Sequence, residues 1–260
     1  MRILFLGDIV GRPGRRAVAQ WLPDLRDEFG VDIVLANAEN AAGGLGATPE
    51  VLDTLREAGV AGFTMGNHAW RKAPLMSAID GMTDVVRPAN FPAGVPGRGA
   101  AVLTLPDRRR LALLNVMGRV FMTPFECPFA CAARELEALR AQAHVTIVDF
   151  HAEATSEKVA FGWHLDGQCT AVLGTHTHVP TADERILPGG TAYITDIGMT
   201  GPRDGVIGTE RDAVITKFIT GLPRQFHVAK GPVWLNAVLV EADDASGRAV
   251  SIERIVREEA

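Results

Sequence analysis

Carboxylate, amide and imidazole side chains recur in this sequence at the points where short apolar segments end. The residues at these points are Asp8, Glu39, Asn40, Asn67, His68, His151, His176 and His178. In an α/β protein the carboxyl ends of the strands share one edge of the sheet, where ligands usually bind. Residues that are far apart in the sequence meet at that edge, so we expect these side chains to form one cluster.

The histidine pair is the strongest single motif of this set. His176 and His178 are two residues apart, and in an extended chain this spacing directs both imidazoles to one side, while Thr175 and Thr177 face away. Each of the other motifs is weak alone, because an aspartate at a strand end is commonly a turn former or a helix cap. The prediction therefore depends on their joint occurrence at strand ends.

The cluster offers oxygen and nitrogen donors and no thiolate, a set that suits manganese, iron or zinc. The donors suffice for two ions, and we expect two divalent or mixed-valence transition-metal ions, iron or manganese before zinc. Two such ions carry more positive charge than the carboxylates of Asp8 and Glu39 neutralise. An excess of positive charge favours an anionic substrate and an ionised water molecule between the ions.

The apolar segments alternate with longer amphipathic stretches, which is the pattern of an α/β fold. Strands are predicted at residues 2–7, 32–36, 61–65, 100–105, 111–116, 144–150, 170–173 and 191–194. Helices are predicted at residues 15–29, 49–58, 130–143 and 211–219. Residues 233–240 and 249–256 predict a closing hairpin. No linker or repeat divides the sequence, so residues 1–260 are expected to form a single domain.

The composition is that of a soluble globular protein, with 47% hydrophobic and 22% charged residues. The net charge of −5 argues against duplex DNA or long RNA as a partner, because these are bound through many lysine and arginine contacts to phosphate. No apolar run approaches the roughly 18 residues that a membrane helix needs, and no signal peptide is recognised. We expect a cytoplasmic protein that does not bind membranes, and an oligomer of identical chains is compatible with the sequence.

The cysteines do not predict a disulfide framework or a zinc site. Cys127, Cys131 and Cys169 are an odd-numbered set in a chain of medium length. Cys127 and Cys131 lack a second pair that would complete four soft ligands for zinc. We expect reduced thiols that pack as small apolar residues.

Several segments resemble the calcineurin-like metallophosphoesterase superfamily, and within it the YmdB-like branch. The segments are GDIVG, AENAAGG, GNH, DFHAEATSEK, GTHTHVPTADERILPGGTAYITDIGMTGP and DGVIGT. The superfamily commonly has Asp-x-His at its first motif and Gly-Asp-x-x-Asp at its second. Here Ile9-Val10 follow Asp8, and Glu39-Asn40 occupy the second motif, and both departures are features of the YmdB-like branch. Ala69 follows GNH where the superfamily often has an acidic residue, so no role is transferred to that position.

The resemblance implies a fold of two stacked, mostly mixed β-sheets flanked by helices, with a dinuclear metal centre. It implies that one ion is bound by Asp8, Glu39, Asn40 and His178. It implies that the other is bound by Glu39, Asn67, His151 and His176, with Glu39 bridging the two. His68 binds neither ion in this scheme and is placed to stabilise or protonate the leaving oxygen.

The activity implied is hydrolysis of phosphodiesters by in-line attack of a hydroxide that bridges the ions. Small cyclic nucleotides are the expected substrates, 2′,3′-cyclic ones first and 3′,5′-cyclic ones second. Two alternatives stay open at this point. The chain is a phosphomonoesterase or a nuclease for short RNA, or it is a metal-binding regulatory protein with little turnover.

Overall fold

The computed structural model describes residues 1–259 and contains two β-sheets and six α-helices within that range. In chain order the strands are β1 (Arg2–Leu6), β2 (Asp8–Ile9), β3 (Ile33–Asn37), β4 (Gly62–Thr64), β5 (Val85–Val86), β6 (Ala100–Thr104), β7 (Arg110–Met117), β8 (Val145–His151), β9 (Ala171–Thr175), β10 (Arg185–Ile186), β11 (Ala192–Ile194), β12 (Met199–Pro202), β13 (Val233–Ala242) and β14 (Ala249–Glu258). The helices are α1 (Gly11–Phe29), α2 (Pro49–Glu57), α3 (Ala73–Ala78), α4 (Pro128–Arg140), α5 (Thr155–His164) and α6 (Arg211–Thr220). A 3₁₀ turn follows α3 at Ile79–Gly81.

Both sheets are mixed. The first has the order β2-β12-β13-β1-β3-β4-β5, with β14 paired to β13. Its strands β1, β3, β4 and β5 run parallel, whereas β13 is antiparallel to β1 and to β14. The second sheet has the order β10-β11-β9-β8-β7-β6, in which β7, β8, β9 and β11 are parallel and the two edge strands are antiparallel. The parallel strands read as continuous apolar segments because both of their faces are covered.

The two sheets stack face to face. Phe5 and Leu35 of the first sheet are fully buried in one apolar cluster with Ile147 and Leu173 of the second. The outer face of the first sheet is covered by α1 and α2, which contribute Leu22 and other buried residues to a second cluster. The outer face of the second sheet is covered by α4 and α5. The predicted fold class, two stacked mixed sheets flanked by helices, is confirmed.

The boundaries follow local chemistry. Helix α1 was predicted from residue 15 but begins at Gly11. It ends at Phe29 and is followed by Gly30, whose φ of 58° suits a left-handed cap. Helix α2 begins as predicted, because the Thr48 side chain accepts a hydrogen bond from the Val51 amide at 3.3 Å.

No helix within residues 1–259 is both long enough and apolar enough to cross a membrane.

Helix α5 was not predicted, and the reason is chemical. Its buried face includes the charged residues Glu157 and Lys158, so its sequence lacks an apolar stripe at helical spacing. The short strands β2 and β12 were also not predicted. They pair with each other in parallel, with Met199 opposite Asp8, and they extend the first sheet beside the cluster of polar strand ends.

Candidate metal centre

The polar residues singled out in the sequence lie at the carboxyl ends of strands from both sheets. Asp8 follows β1, Glu39 follows β3, and Asn67 follows β4 in the first sheet. In the second sheet His151 is the last residue of β8, and His176 comes directly after β9. Because the sheets stack with these ends at one edge, the strands bring the side chains together, as the sequence predicted.

One half of the cluster is centred on His151. Its Nε2 lies 3.1 Å from Glu39 Oε1, 3.0 Å from Asn67 Oδ1 and 3.0 Å from His176 Nδ1. Ligand atoms of Glu39, His151 and His176 all lie within 4.8 Å of one another, which is the arrangement that can hold a metal ion. Glu39 and His151 are fully buried.

The other half contains Asp8, Asn40 and His178. His178 Nε2 lies 3.2 Å from Asn40 Nδ2 and 3.7 Å from Asp8 Oδ1. Asn40 Nδ2 also donates to Glu39 Oε1 at 3.4 Å, so Glu39 lies between the two halves. The structure therefore brings all the proposed ligands into one cluster, with Glu39 at its centre.

His68 lies beside this cluster. Its backbone amide donates to Glu39 Oε2 at 2.9 Å, and its Nδ1 lies 2.8 Å from Asn40 Oδ1. The Nδ1 side of the ring is thus held by Asn40. Nε2 makes no hydrogen bond within residues 1–259.

The charges in the cluster shift several pKa values. Burial is the largest cause for Asp8 and raises the pKa of its carboxyl. Burial also acts to raise the pKa of Glu39, but His151 and His68 outweigh it and hold that pKa well below its usual range. Burial followed by the positive charge of His151 lowers the pKa of His176 to about 3, so His176 is a neutral imidazole with a free lone pair at neutral pH.

The residues fit metal ions on two further observations. Asp8 Oδ1 is buried and has no hydrogen-bond partner among residues 1–259, which a bound cation would explain. A Cβ at Gly66 would overlap His151 Nε2 and Glu39 Oε2, so glycine at this position leaves the ligand atoms accessible.

Asn40 is the exception among the proposed ligands, because it turns its nitrogen toward His178 and its oxygen toward His68. Ligation through its oxygen requires the amide to rotate by half a turn, a change that hardly alters its shape.

Comparison with known proteins identifies the family. A model of the family described as YmdB-like protein matches residues 4–255. The chain belongs to the YmdB-like family. This confirms the resemblance seen in the motifs, from GDIVG near the start to DGVIGT before α6.

Similar proteins cover nearly the whole chain. A 2′,3′-cyclic-nucleotide 2′-phosphodiesterase of Bacillus subtilis strain 168 is 47% identical over 256 residues, which are 98% of this chain and 97% of that protein. A crystal structure of a hypothetical protein from Thermus thermophilus is 45% identical, with a TM-score of 0.93 and complete coverage of both chains. A crystal structure titled a novel phosphatase, from Mycoplasma pneumoniae, is 37% identical with a TM-score of 0.93, covering 99% of this chain and 93% of that one.

The turn that carries the histidine pair of this YmdB-like chain differs from the extended segment predicted. His176 has a φ of 95° and His178 a φ of 67°, so both residues adopt left-handed backbone conformations after β9 has ended. The two rings still reach the same cluster. The left-handed turn directs them there, in place of the side-chain alternation of an extended strand. The prediction that Thr175 and Thr177 face away was incomplete, because both hydroxyls donate hydrogen bonds to buried aspartates that support the turn.

Thr175 determines which nitrogen of His151 faces the cluster. Its Oγ1 donates to Asp149 Oδ1 at 2.6 Å and lies 2.9 Å from His151 Nδ1. The single hydroxyl proton is directed at Asp149, so the oxygen accepts a hydrogen bond from His151 Nδ1–H. Once His151 is neutral, its Nε2 is then the nitrogen available for a metal ion. Asp149 also accepts from Asn37 Nδ2 at 3.2 Å and from the Thr64 hydroxyl.

A buried ion pair holds the same turn from the other side. Lys158 Nζ lies 2.6 Å from Asp196 Oδ2 and donates to the Thr175 carbonyl at 2.7 Å. Asp196 Oδ2 accepts from the Thr177 amide at 3.2 Å and from its hydroxyl at 2.6 Å. The backbone on both sides of His176 is therefore attached to one Lys–Asp pair.

Glu153 is a neighbour of the cluster that the sequence did not indicate. Its Oε2 lies 3.0 Å from His176 Nε2, on the side of the ring away from His151, and its side chain is half exposed. A carboxylate on the second nitrogen of a metal-binding histidine orients the ring and raises its basicity. Glu153 lies three residues after the predicted strand 144–150, but an acidic residue in a loop carries no distinguishing signal.

Proposed function

We propose that this chain is a metal-dependent hydrolase that cleaves small phosphodiesters, 2′,3′-cyclic nucleotides first and 3′,5′-cyclic ones second. The observation that supports this most is the buried cluster of Glu39, His151 and His176, in a chain 47% identical to a 2′,3′-cyclic-nucleotide 2′-phosphodiesterase. Relatives named phosphodiesterase and phosphatase have in common the hydrolysis of phosphate esters.

The ligands divide into the two halves described above. One ion would be held by Asp8, Glu39 and His178, with Asn40 after rotation of its amide. The other would be held by Glu39, Asn67, His151 and His176. Bound iron, manganese or zinc would supply activation of water at neutral pH and neutralisation of the charge on the phosphoryl oxygens. The absence of thiolates from the cluster is compatible with all three metals.

His68 is the proposed general acid. Asn40 lies against its Nδ1, and once the Asn40 amide is rotated its nitrogen donates to Nδ1, so that a neutral ring carries its proton on Nε2. The ring also lines the cavity that opens beside the cluster. A proton on Nε2 is thus held at the position from which a leaving oxygen is reached, while the other side of the ring stays fixed. His68 contributes no ligand, so its role in proton transfer is separable from metal binding.

The site selects an anionic ester and excludes long nucleic acid by its charge. The protein has a net charge of −5 and therefore lacks the overall basic charge that holds long nucleic acid, whereas bound metal ions would add positive charge at the centre. The M. pneumoniae structure titled a novel phosphatase supports phosphate monoesters as a second substrate class. Cyclic diesters remain the first choice because the B. subtilis relative is named for them.

The test combines metal analysis with a substrate panel. Purified protein is loaded with Mn²⁺ or Fe²⁺ and assayed with adenosine 2′,3′-cyclic phosphate, adenosine 3′,5′-cyclic phosphate and p-nitrophenyl phosphate. We expect the first to be turned over with the highest kcat/KM, and Asp8→Asn to abolish that turnover. Fast hydrolysis of the monoester alone would favour the phosphatase, and tight binding of the cyclic nucleotide with no turnover would favour a regulatory protein.

A further inference from the structure

A cavity of about 150 Å³ opens directly beside the metal centre. Polar residues of the centre form one of its walls, and most of the other side chains that line it are apolar, with Thr209 and His227 as the polar ones. The lining includes Asn40, His68, His178, Leu45, Ile207 and Phe226. Pockets that enclose a whole drug-sized ligand measure about 300–1,000 Å³, so this cavity accommodates one ring system of a larger molecule.

The apolar walls are unusually exposed for residues of their size. The exposed fractions are 46% for Leu45, 50% for Ile207 and 44% for Phe226. Single exposed apolar residues are common on protein surfaces, but several that converge on one opening indicate a ligand site. These come from separate loops, after β3, after β12 and after α6.

The apolar walls are attached to the metal centre. His178 Nδ1 lies 3.0 Å from the carbonyl oxygen of Ile207. A residue proposed as a metal ligand is therefore hydrogen-bonded to a residue of the apolar wall. A Cβ at Gly44 would lie 2.9 Å from Val228 Cγ2, so the loop with Leu45 packs closely on the loop with Phe226. Lys217 Nζ lies 5.0 Å from the centre of the Phe226 ring and restrains that ring.

We propose that the apolar half of this cavity is the binding site for the base of the nucleotide, with Phe226 as its stacking partner. This inference rests on the proposed function. A cyclic nucleotide has an anionic end and a flat apolar end. The cavity offers a centre that bound metal ions would make cationic, next to an aromatic and two aliphatic side chains. Stacking on an aromatic ring is tolerant of base identity, so the site selects nucleotides as a class.

The test compares Phe226→Ala with Phe218→Ala. Phe218 lies on α6, is 81% exposed and does not line the cavity, so it is a matched control. Both variants are assayed with adenosine 2′,3′-cyclic phosphate and with ribose 2′,3′-cyclic phosphate, which lacks the base. We expect Phe226→Ala to raise KM for the nucleotide at least about fivefold. KM for the base-free ester stays unchanged, and Phe218→Ala changes neither value.

Two additions keep the outcome decisive. Phe226→Trp retains an aromatic face and is expected to keep KM for the nucleotide within about twofold of the parent protein. Calorimetric titration of each protein with adenosine 3′-monophosphate measures base binding without turnover, and we expect Phe226→Ala to weaken it by a similar factor to KM. If the parent protein hydrolyses neither ester, the proposed function fails, and the titration still decides this inference. Equal KM and equal affinity in Phe226→Ala and the parent would overturn it, as would an equal loss on the base-free ester.

Discussion

Lys158 Nζ lies 2.6 Å from Asp196 Oδ2 in the interior, and this pair holds the backbone on both sides of His176. Lys158 is 1% exposed and Asp196 is fully buried. Charges at such depth are costly unless they are paired and hydrogen-bonded, and here the pair is bonded to the turn that carries the histidines. The stability of the core and the geometry of the proposed metal centre are therefore coupled.

Removing one member of this ion pair should lower the free energy of unfolding more than removing both members. Lys158→Met leaves Asp196 as an uncompensated buried charge, which costs about 3–5 kcal/mol of unfolding free energy. The double variant Lys158→Met with Asp196→Leu removes both charges and should lose less than Lys158→Met alone, and therefore less than the sum of the two single changes. Urea unfolding of the three variants measures the coupling. Additive losses would show that the two side chains act independently.

Thr175→Val should weaken metal binding at the half of the centre that contains His151. The substitution keeps the shape of the side chain but removes the hydroxyl that accepts from His151 Nδ1–H. Loss of such a supporting bond typically lowers metal affinity about 10–100-fold. Metal retention is measured against a competing chelator, with Thr175→Ser as the variant that restores the hydroxyl. The role of the Thr175 hydroxyl in metal binding is refuted if the valine and serine variants retain metal equally well.

His68→Ala should keep both metal ions and lose most hydrolysis. It removes the proposed proton donor and no ligand, and general acid catalysis contributes about 10²–10⁴-fold to a rate. Elemental analysis of the variant establishes that the metal content is unchanged before kcat is measured. Turnover equal to that of the parent protein would exclude the assigned role.

Glu39→Ala and His178→Ala should each empty part of the centre. Glu39 lies between the two halves, so its loss affects both ions, whereas His178 contacts only the half with Asp8 and Asn40. Metal-to-protein ratios after dialysis should fall further for Glu39→Ala than for His178→Ala. His164→Ala, on the exposed end of α5, is the control and should retain the full complement. Full occupancy in both site variants would disprove the ligand scheme.

Much of this protein could be predicted from local patterns. The alternation of apolar and amphipathic segments predicted the longer strands and four of the helices. A strand that is buried on both faces is a continuous apolar segment, whereas a helix that is buried on one face has apolar residues at helical spacing. The positions of Asp8, Glu39, His151 and His176 at strand ends predicted one cluster, because parallel strands end at a common edge.

Other features depend on contacts between segments that are remote in the sequence. Asp149 and Thr175 are 26 residues apart, and Lys158 and Asp196 are 38 apart, yet each pair forms a buried bond that no spacing rule indicates. Helix α5 escaped prediction for the same reason, since its buried charges are tolerated only once their partners are in place. The left-handed turn at His176 and the wall formed by Phe226 likewise arise from packing. Local sequence determines where a polar side chain leaves a strand, while its partner, tautomer and orientation are determined by whichever neighbours the folded chain places against it.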